Sequence, residues 1–420
     1  MDTMRPTSRW LPRALITALV ATTAAGLAAP AALAAPDPTV DALLVTRLAN
    51  ARLGSSVGLL VIDAATGEVI SDHGGAEARL PASNMKIVTA VSALATMGTD
   101  TRFTTKVRAG ATPNDLVLEG GGDPLLTTKD LQKLANATAA ALAATVPPGT
   151  PLAVHVDDDV FPDTNRARGW TRSYIPSVVS SVEGLARLWD YSSDPSTNAA
   201  KVFADRLTKK GYPTGIGPDA DAGEAPVIAE TPGHTVAEAV RVMLRISENN
   251  VAEVLHRQVA RASGLPATWA GATQATEQVL RNLGIDPTGN ALLDGSGLSR
   301  KARVTPRLLV DVLRVARVTN PAPFTTMFEP DAMPVAGVSG TLDDRYGRFV
   351  TKQARCAQGA VSAKTGTLFD TVGLSGIART TQGGERIFSI LVNDRPQRFP
   401  TLSTRQAVDG LAATIVGCWN

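Results

Sequence analysis

Histidine, cysteine and aromatic residues are scarce in this chain, with four histidines, two cysteines and 4% aromatics among 420 residues. His73, His155, His234 and His256 are scattered, with no H-E-x-x-H and no Cys/His cluster, which argues against a zinc enzyme or an iron–sulfur protein. Few aromatics and a near balance of charge, 41 basic against 39 acidic residues, argue against a nucleic-acid partner. Past residue 34 no apolar run approaches the ~18 residues of a membrane span. What is abundant is apolar and turn-forming: 44% hydrophobic residues with 36 Gly and 27 Pro, the balance of an ordered globular protein. The length allows two to three domains at about 150 residues each.

The first 34 residues form a class of their own. Arg5, Arg9 and Arg13 precede an uncharged stretch, Ala14 to Ala29, and Pro30 leads into Ala32-Leu33-Ala34, a small-x-small cleavage pattern. This predicts a secretory signal peptide over 1–34, removed after Ala34; a retained membrane anchor is the alternative. The segment holds three Arg and one Asp, so its removal leaves 41 − 3 = 38 basic and 39 − 1 = 38 acidic residues. The mature chain is neutral and soluble, and export places it outside the cytoplasm, in the wall or periplasmic space or secreted. Cys356 and Cys418 then sit in an oxidising space, where a disulfide is the expectation and a buried thiol pair the alternative.

Residues 40–54 have helical spacing. Val57 to Ile62 and Glu68 to Ile70 flank an Asp/Gly turn and predict a hairpin, and Pro81-Ala82-Ser83 opens a helix that Gly98 ends. From 101 to 234 short strand-like runs (Phe103–Val107, Leu116–Leu118, Leu152–Val156) alternate with turns around one Ala-rich helix, 131–144. Residues 235–263 return to helix. Three strands follow, Ala360–Leu368, Val372–Thr380 and Arg386–Val392, and then a helix over 401–416. The pattern predicts an α/β (α+β) fold, an antiparallel sheet flanked by helices. Its main domain is built from 35–100 and 235–420, with 101–234 as a large inserted region.

Three short motifs carry chemistry. Ser83-Asn84-Met85-Lys86 puts a hydroxyl and an amine on one helical face, three residues apart. A serine needs a base to become a nucleophile, and a lysine of lowered pKa can be that base. Taken alone, Ser83 reads first as a helix cap. Ser247-Glu248-Asn249 lies in a polar break between helical stretches, where a hydroxyl and an amide can face a cleft; alone it is a plain turn. Lys364-Thr365-Gly366-Thr367 lies in a strand, where an interior Gly implies close approach to the backbone; the plain alternative is an edge strand blunted by lysine.

In this order, on helix, loop and strand, S-x-x-K, S-x-N and K-T-G resemble the signature of penicillin-binding proteins and serine β-lactamases. From Ser83 to Ser247 is 247 − 83 = 164 residues, longer than in compact class A β-lactamases. Gly120-Gly121-Gly122-Asp123-Pro124, Asn250 to Leu255 and Asp294-Gly295-Ser296-Gly297-Leu298-Ser299-Arg300 are similar to segments of the D-alanyl-D-alanine carboxypeptidase/endopeptidase family of the penicillin-binding protein 4 type, peptidase family S13. The insertion is shorter than in the best-known members, so the region over the cleft departs from theirs.

The resemblance implies a penicillin-binding-protein/β-lactamase-like transpeptidase domain and a serine acyl-enzyme mechanism with no metal or organic cofactor. Its ligands would be peptidoglycan peptides, with β-lactams as covalent inhibitors. It makes Ser83 the nucleophile and Lys86 its base. Ser247 relays a proton to the leaving amine, and Asn249 holds substrate and lysine. Lys364 and Thr365 bind the terminal carboxylate, and the N–H groups of Ser83 and Thr367, beside Gly366, form the oxyanion hole. Arg300 is expected to meet the side-chain carboxylate of diaminopimelate-containing peptides; the alternative is a structural pair with Asp294 or another loop acid. A serine β-lactamase or esterase, and a catalytically silent wall-binding or penicillin-sensing protein, are the rival functions.

Other residues are weaker candidates. Asp157-Asp158-Asp159 suggests a divalent ion but reads first as a solvated turn, and the Glu119–Gly122 run lacks a nucleotide-binding pattern. His256 lies among apolar neighbours and reads as packed. Trp170 and Tyr174 are expected either to line the cleft or to join the core.

Overall fold

The computed structural model describes residues 38–162 and 166–419. The expected signal peptide lies outside the described residues. Helix α1 (Pro38–Leu48) and the hairpin β1 (Ser56–Asp63)–β2 (Val69–His73) open the fold; a 3₁₀ turn, Ala82–Asn84, then runs into α2 (Met85–Met97). Next come β3 (Arg102–Phe103), β4 (Lys106–Ala109), β5 (Asp115–Glu119), α3 (Thr128–Leu142), β6 (Leu152–Asp157), the single turn α4 (Tyr174–Ser177), α5 (Pro195–Lys209), β7 (Thr214–Ile216), β8 (Val227–Glu230) and β9 (His234–Thr235). Helices α6 (Val236–Ile246), α7 (Asn249–Ala262), α8 (Trp269–Asn282) and α9 (Pro306–Arg314) lead to β10 (Val361–Leu368), β11 (Thr371–Arg379), β12 (Glu385–Asn393) and α10 (Thr401–Val416).

The main sheet has the order β10-β11-β12-β1-β2, and every pair in it is antiparallel. Its central strand β1 is a continuous apolar run because both faces are covered. Leu59 and Val61 join a core with α1 and α10 residues such as Leu44, Val408 and Leu411. Leu60 and Ile62 point the other way, into a core with Ile87, Val91, Leu255 and Leu309 from α2, α7 and α9. The chain is therefore layered helix–sheet–helix in its main body. Strand β10 lies at the sheet edge, next to the Ala82–Asn84 turn.

Between α2 and α6 stands a second sheet, ordered β7-β6-β5-β4-β8, parallel at β5–β6 and β6–β7 and antiparallel elsewhere. It has its own core, in which Leu131, Leu134 and Phe203 of α3 and α5 pack on Val107, Leu118 and Val154. The expected strand 103–107 divides: β3 pairs with β9, whereas β4 belongs to the second sheet. The expected helix 40–54 ends at Leu48 and continues as turns that bury Leu53. The Ala-rich helix starts earlier than its apolar spacing indicates, because Thr127 and Asp130 form a reciprocal capping box. Cys356 and Cys418 are joined by a disulfide that fastens the end of α10 to the turn before β10.

Candidate active site

The site begins where Pro81 turns the chain into α2. Ala82 has a left-handed φ of 45°, and a side chain at Gly297 (φ 80°) would overlap its carbonyl, so the D-G-S-G loop presses on the residue before Ser83. Ser83 is half-buried in the 3₁₀ turn, and Lys86 is fully buried one turn later. The Lys86 amine donates to Ser83 Oγ at 3.0 Å, to Asn249 Oδ1 at 2.8 Å and to the Ser296 carbonyl at 3.0 Å. These three acceptors match the three protons of an ammonium. Burial lowers the Lys86 pKa from 10.5 to about 8, against the pull of Glu253, Glu248 and Asp294.

The S-E-N motif is the corner between α6 and α7. Ser247 adopts φ 62°, ψ 35°, the left-handed conformation of a helix stop, and the Glu248 carboxylate caps Asn250 N–H. The corner brings Asn249 to Lys86, with Ser247 half-buried two residues before it. Asn249 also donates through Nδ2 to the Val178 carbonyl, and Asn250 Oδ1 accepts from Ser180 N–H. Tyr191 donates its hydroxyl to Glu248, 2.9 Å from either oxygen. The chain before α5 thus grips the second motif.

The K-T-G strand is β10. Its glycine has a steric reason: a Cβ on Gly366 would lie 2.5 Å from Asn84 Nδ2 and 2.9 Å from the Pro81 carbonyl. Close approach of the strand to the serine turn therefore requires glycine. Outside β10, Ala363 N–H donates to the Pro334 carbonyl and Ala336 N–H to the Val361 carbonyl. Strand alternation carries the N–H groups of Thr365 and Thr367 to that same outer edge. Thr365 Oγ1 lies 2.7 Å from Thr341 Oγ1. Lys364 points inward and is fully buried; its amine donates to the Thr365 carbonyl at 2.9 Å. Burial, and then the like charge of Lys86, hold its pKa well below the usual lysine value.

Beneath the lysines lie two buried carboxylates, Glu253, to which the sequence motifs give no role, and Asp294, which they offer only as a partner for Arg300. Glu253 accepts from Trp269 Nε1 (2.9 Å), Gly295 N–H (3.1 Å) and Ser296 N–H (2.8 Å). Asp294 accepts from Trp170 Nε1 (2.8 Å), Gly297 N–H (3.0 Å) and Ser299 N–H (2.7 Å). Burial and the nearby Glu253 push the Asp294 pKa up. Together with Thr89, which donates to the Gly295 carbonyl at 2.7 Å, these bonds hold the Ser296 carbonyl toward Lys86.

Arg300 ends this loop, and its fork is engaged by the turn between β10 and β11: Nη1 and Nη2 reach the two Asp370 oxygens at 2.8 and 2.5 Å. This is the pairing with a loop acid that the structural alternative describes, made with Asp370 in place of Asp294. Trp170 is buried edge-on to Trp269 with ring centroids 5.5 Å apart, which makes it core; Tyr174 is partly buried against the same cluster. His256 is buried in α7, and desolvation lowers its pKa to about 3, so it is a packed neutral imidazole. The Asp157–Asp159 run is a hydrogen-bonded turn. Asp157 accepts from Ala222 N–H and Asp158 from Ser196 Oγ.

The architecture is that of the penicillin-binding proteins. The crystal structure of penicillin-binding protein 4 from Haemophilus influenzae is similar with a TM-score of 0.75 at 21% identity, covering 90% of this chain and 98% of that one. The same protein has also been solved in complex with a β-lactam, with a TM-score of 0.68 at 22% identity, covering 88% of this chain and 98% of that one. The chain belongs to the D-Ala-D-Ala carboxypeptidase 3 (S13) family, whose model matches residues 40–182 and 179–415, and is a serine peptidase of that family. It is 33% identical to carboxypeptidase DacB of Mycolicibacterium smegmatis, over 93% of this chain and 87% of that protein.

Proposed function

We propose that the chain is an exported serine D-Ala-D-Ala carboxypeptidase, endopeptidase or both, acting on peptidoglycan stem peptides and acylated by β-lactams. The observation that carries this reading is the Lys86 amine, which joins Ser83, Asn249 and the Ser296 carbonyl in one buried hub. Ser83 Oγ attacks the carbonyl carbon before the terminal D-Ala and gives its proton to Lys86. The oxyanion rests on the N–H groups of Ser83 and Thr367. The intermediate collapses to the Ser83 ester and releases D-Ala, or a cross-linked D-residue, whose amine takes a proton through Ser247. Water then hydrolyses the ester. Asn249 orients Lys86 and the substrate, Thr365 and Gly366 line the edge where the peptide lies, and Lys364, the carboxylate ligand that the family resemblance implies, lies buried behind that edge with its amine on the Thr365 carbonyl. Residues 101–234 serve as the inserted part that bounds the cleft.

Arg300 as a reader of a diaminopimelate carboxylate requires that Asp370 release its guanidinium. Arg300→Ala is expected to lower kcat/KM for diaminopimelate peptides while leaving a short diacyl-Lys-D-Ala-D-Ala substrate little changed. Equal loss on both would make it a loop brace.

Incubation with purified peptidoglycan, with products identified by mass, tests the function. Free D-Ala marks carboxypeptidase action, and cross-linked dimers falling to monomers mark endopeptidase action. Absence of both contradicts the proposal. A penicillin adduct that persists, as against rapid turnover, separates the peptidase from a β-lactamase.

A further inference from the structure

A peptidase that removes a C-terminal residue must recognise a carboxylate, and the cations around β10 are unequal to that task. Lys364 is fully buried, faces inward and is bonded to the Thr365 carbonyl. The Arg300 fork is held by Asp370 through both nitrogens. Arg395 is spent on the carbonyls of Phe369 and Phe399 and on the side chains of Gln397 and Thr401. Arg348 is buried against Asp409.

Arg405 is different. It stands in the second turn of α10, on the face of the sheet where Val361 and Ala363 of β10 meet the α10 core. Alternation continues that row through Thr365 and Thr367. The Arg405 Nε donates to Thr367 Oγ1 at 3.2 Å. Its side chain is half-buried, and among the described residues no carboxylate lies within ion-pair distance of it. Burial lowers its pKa, with Arg348 and Arg395 adding repulsion and Asp409 opposing them. Arg405 is thus a partly desolvated cation in a locally positive corner, tethered to the motif by one N–H and with its two terminal nitrogens uncommitted among the described residues. A guanidinium so placed favours a bidentate anion.

We propose that Arg405 binds the α-carboxylate of the substrate's C-terminal residue, beside Thr365 and Thr367, and so makes the enzyme select free chain ends. The inference rests on Ser83 acyl transfer as described above and names the specificity element of that site. A cross-linked peptide cut as an endopeptidase substrate also presents such a carboxylate, on the departing D-centre of the cross-link, so one cation serves both activities.

The test compares two substrates, diacyl-Lys-D-Ala-D-Ala and its C-terminal amide, on the wild type, Arg405→Ala and Arg405→Gln. The glutamine keeps a donor for Thr367 and removes the charge. We expect both variants to lose about tenfold or more in kcat/KM on the carboxylate substrate and little on the amide, since a hydrogen bond to a charged group is lost only there. Penicillin and its methyl ester should divide in the same way. Equal losses on acid and amide, or no loss on either, overturn the proposal. A wild type that neither cleaves the peptide nor takes up penicillin overturns the acyl-transfer reading itself, and this inference with it. Wild-type labelling with unchanged selectivity in the variants overturns the carboxylate role alone.

Discussion

Lys86 is the residue on which the proposed chemistry turns. An ordinary lysine is almost wholly protonated at neutral pH, whereas burial brings this one to about 8, where roughly a tenth is free base at pH 7. In the proposed mechanism the free amine is the base, so acylation of Ser83 should rise with pH through about 8 and level off above it. Stopped-flow penicillin acylation across pH 6–10 reads this directly. Lys86→Ala should slow acylation by about 10²–10⁴ while circular dichroism stays unchanged. Glu253 is the largest influence opposing the lowered pKa. Glu253→Gln removes a negative charge that favours the ammonium, so the alkaline rise should move to lower pH. The same change leaves one of three buried N–H donors poorly matched and should cost about 1–3 kcal/mol in denaturant unfolding. A profile that stays in place would mean that Glu253 does not act on Lys86. The sequence displays Ser83 and Lys86 because three residues suffice to make them neighbours. The action of Glu253 and Asp294 on Lys86 is hidden in it: they stand 294 − 253 = 41 positions apart, and only the fold turns both toward the lysine. Arg405 is hidden for the same reason, being one arginine near the start of a mostly buried helix until the sheet edge is placed beside it.

Elements were legible where local signals are strong. The helix 401–416 and the strands after 360 follow from period and turn residues, and the break at Ser247 follows from its polarity. Helices α5, α8 and α9 escape a reading by apolar periodicity, yet each begins at a side-chain cap: Asp194, Thr268 and Thr305, with proline just inside α5 and α9. Capping chemistry was the available signal. The role of Gly366 was half visible: a glycine within a strand implied close approach, and the structure supplies the Asn84 amide as the group that approaches. Gly366→Ala should push β10 from the serine turn and lower penicillin acylation by about 10²-fold, the scale of a 1 Å misplacement. Gly215→Ala, on β7, meets nothing within 4 Å and should leave the rate unaltered. Equal rates for both variants would refute the steric account.

On the scale of the whole molecule, the sequence indicates a main body interrupted by a long insertion but not how the two are joined. In the structure residues 178–191 bond the second motif, Val178 and Ser180 to Asn249 and Asn250 and Tyr191 to Glu248, and Trp170 bonds Asp294. Elsewhere the Cys356–Cys418 bridge closes 62 residues that contain β10, β11, β12 and α10. Such a loop contributes roughly 4 kcal/mol in the chain-entropy picture. Reduction, or paired Cys→Ser substitution, should lower the unfolding free energy by up to that amount. Intact mass should rise by two hydrogens on reduction, and free alkylation of both thiols without reductant would contradict the bridge.

The central claim, that Ser83 is the nucleophile of a penicillin-sensitive acyl transferase, is tested most directly by mass spectrometry of the penicillin-treated protein. One stable adduct per chain is expected, located on the peptide that contains Ser83 and absent from Ser83→Ala. An adduct that persists in Ser83→Ala, or that maps to another residue, would contradict the account.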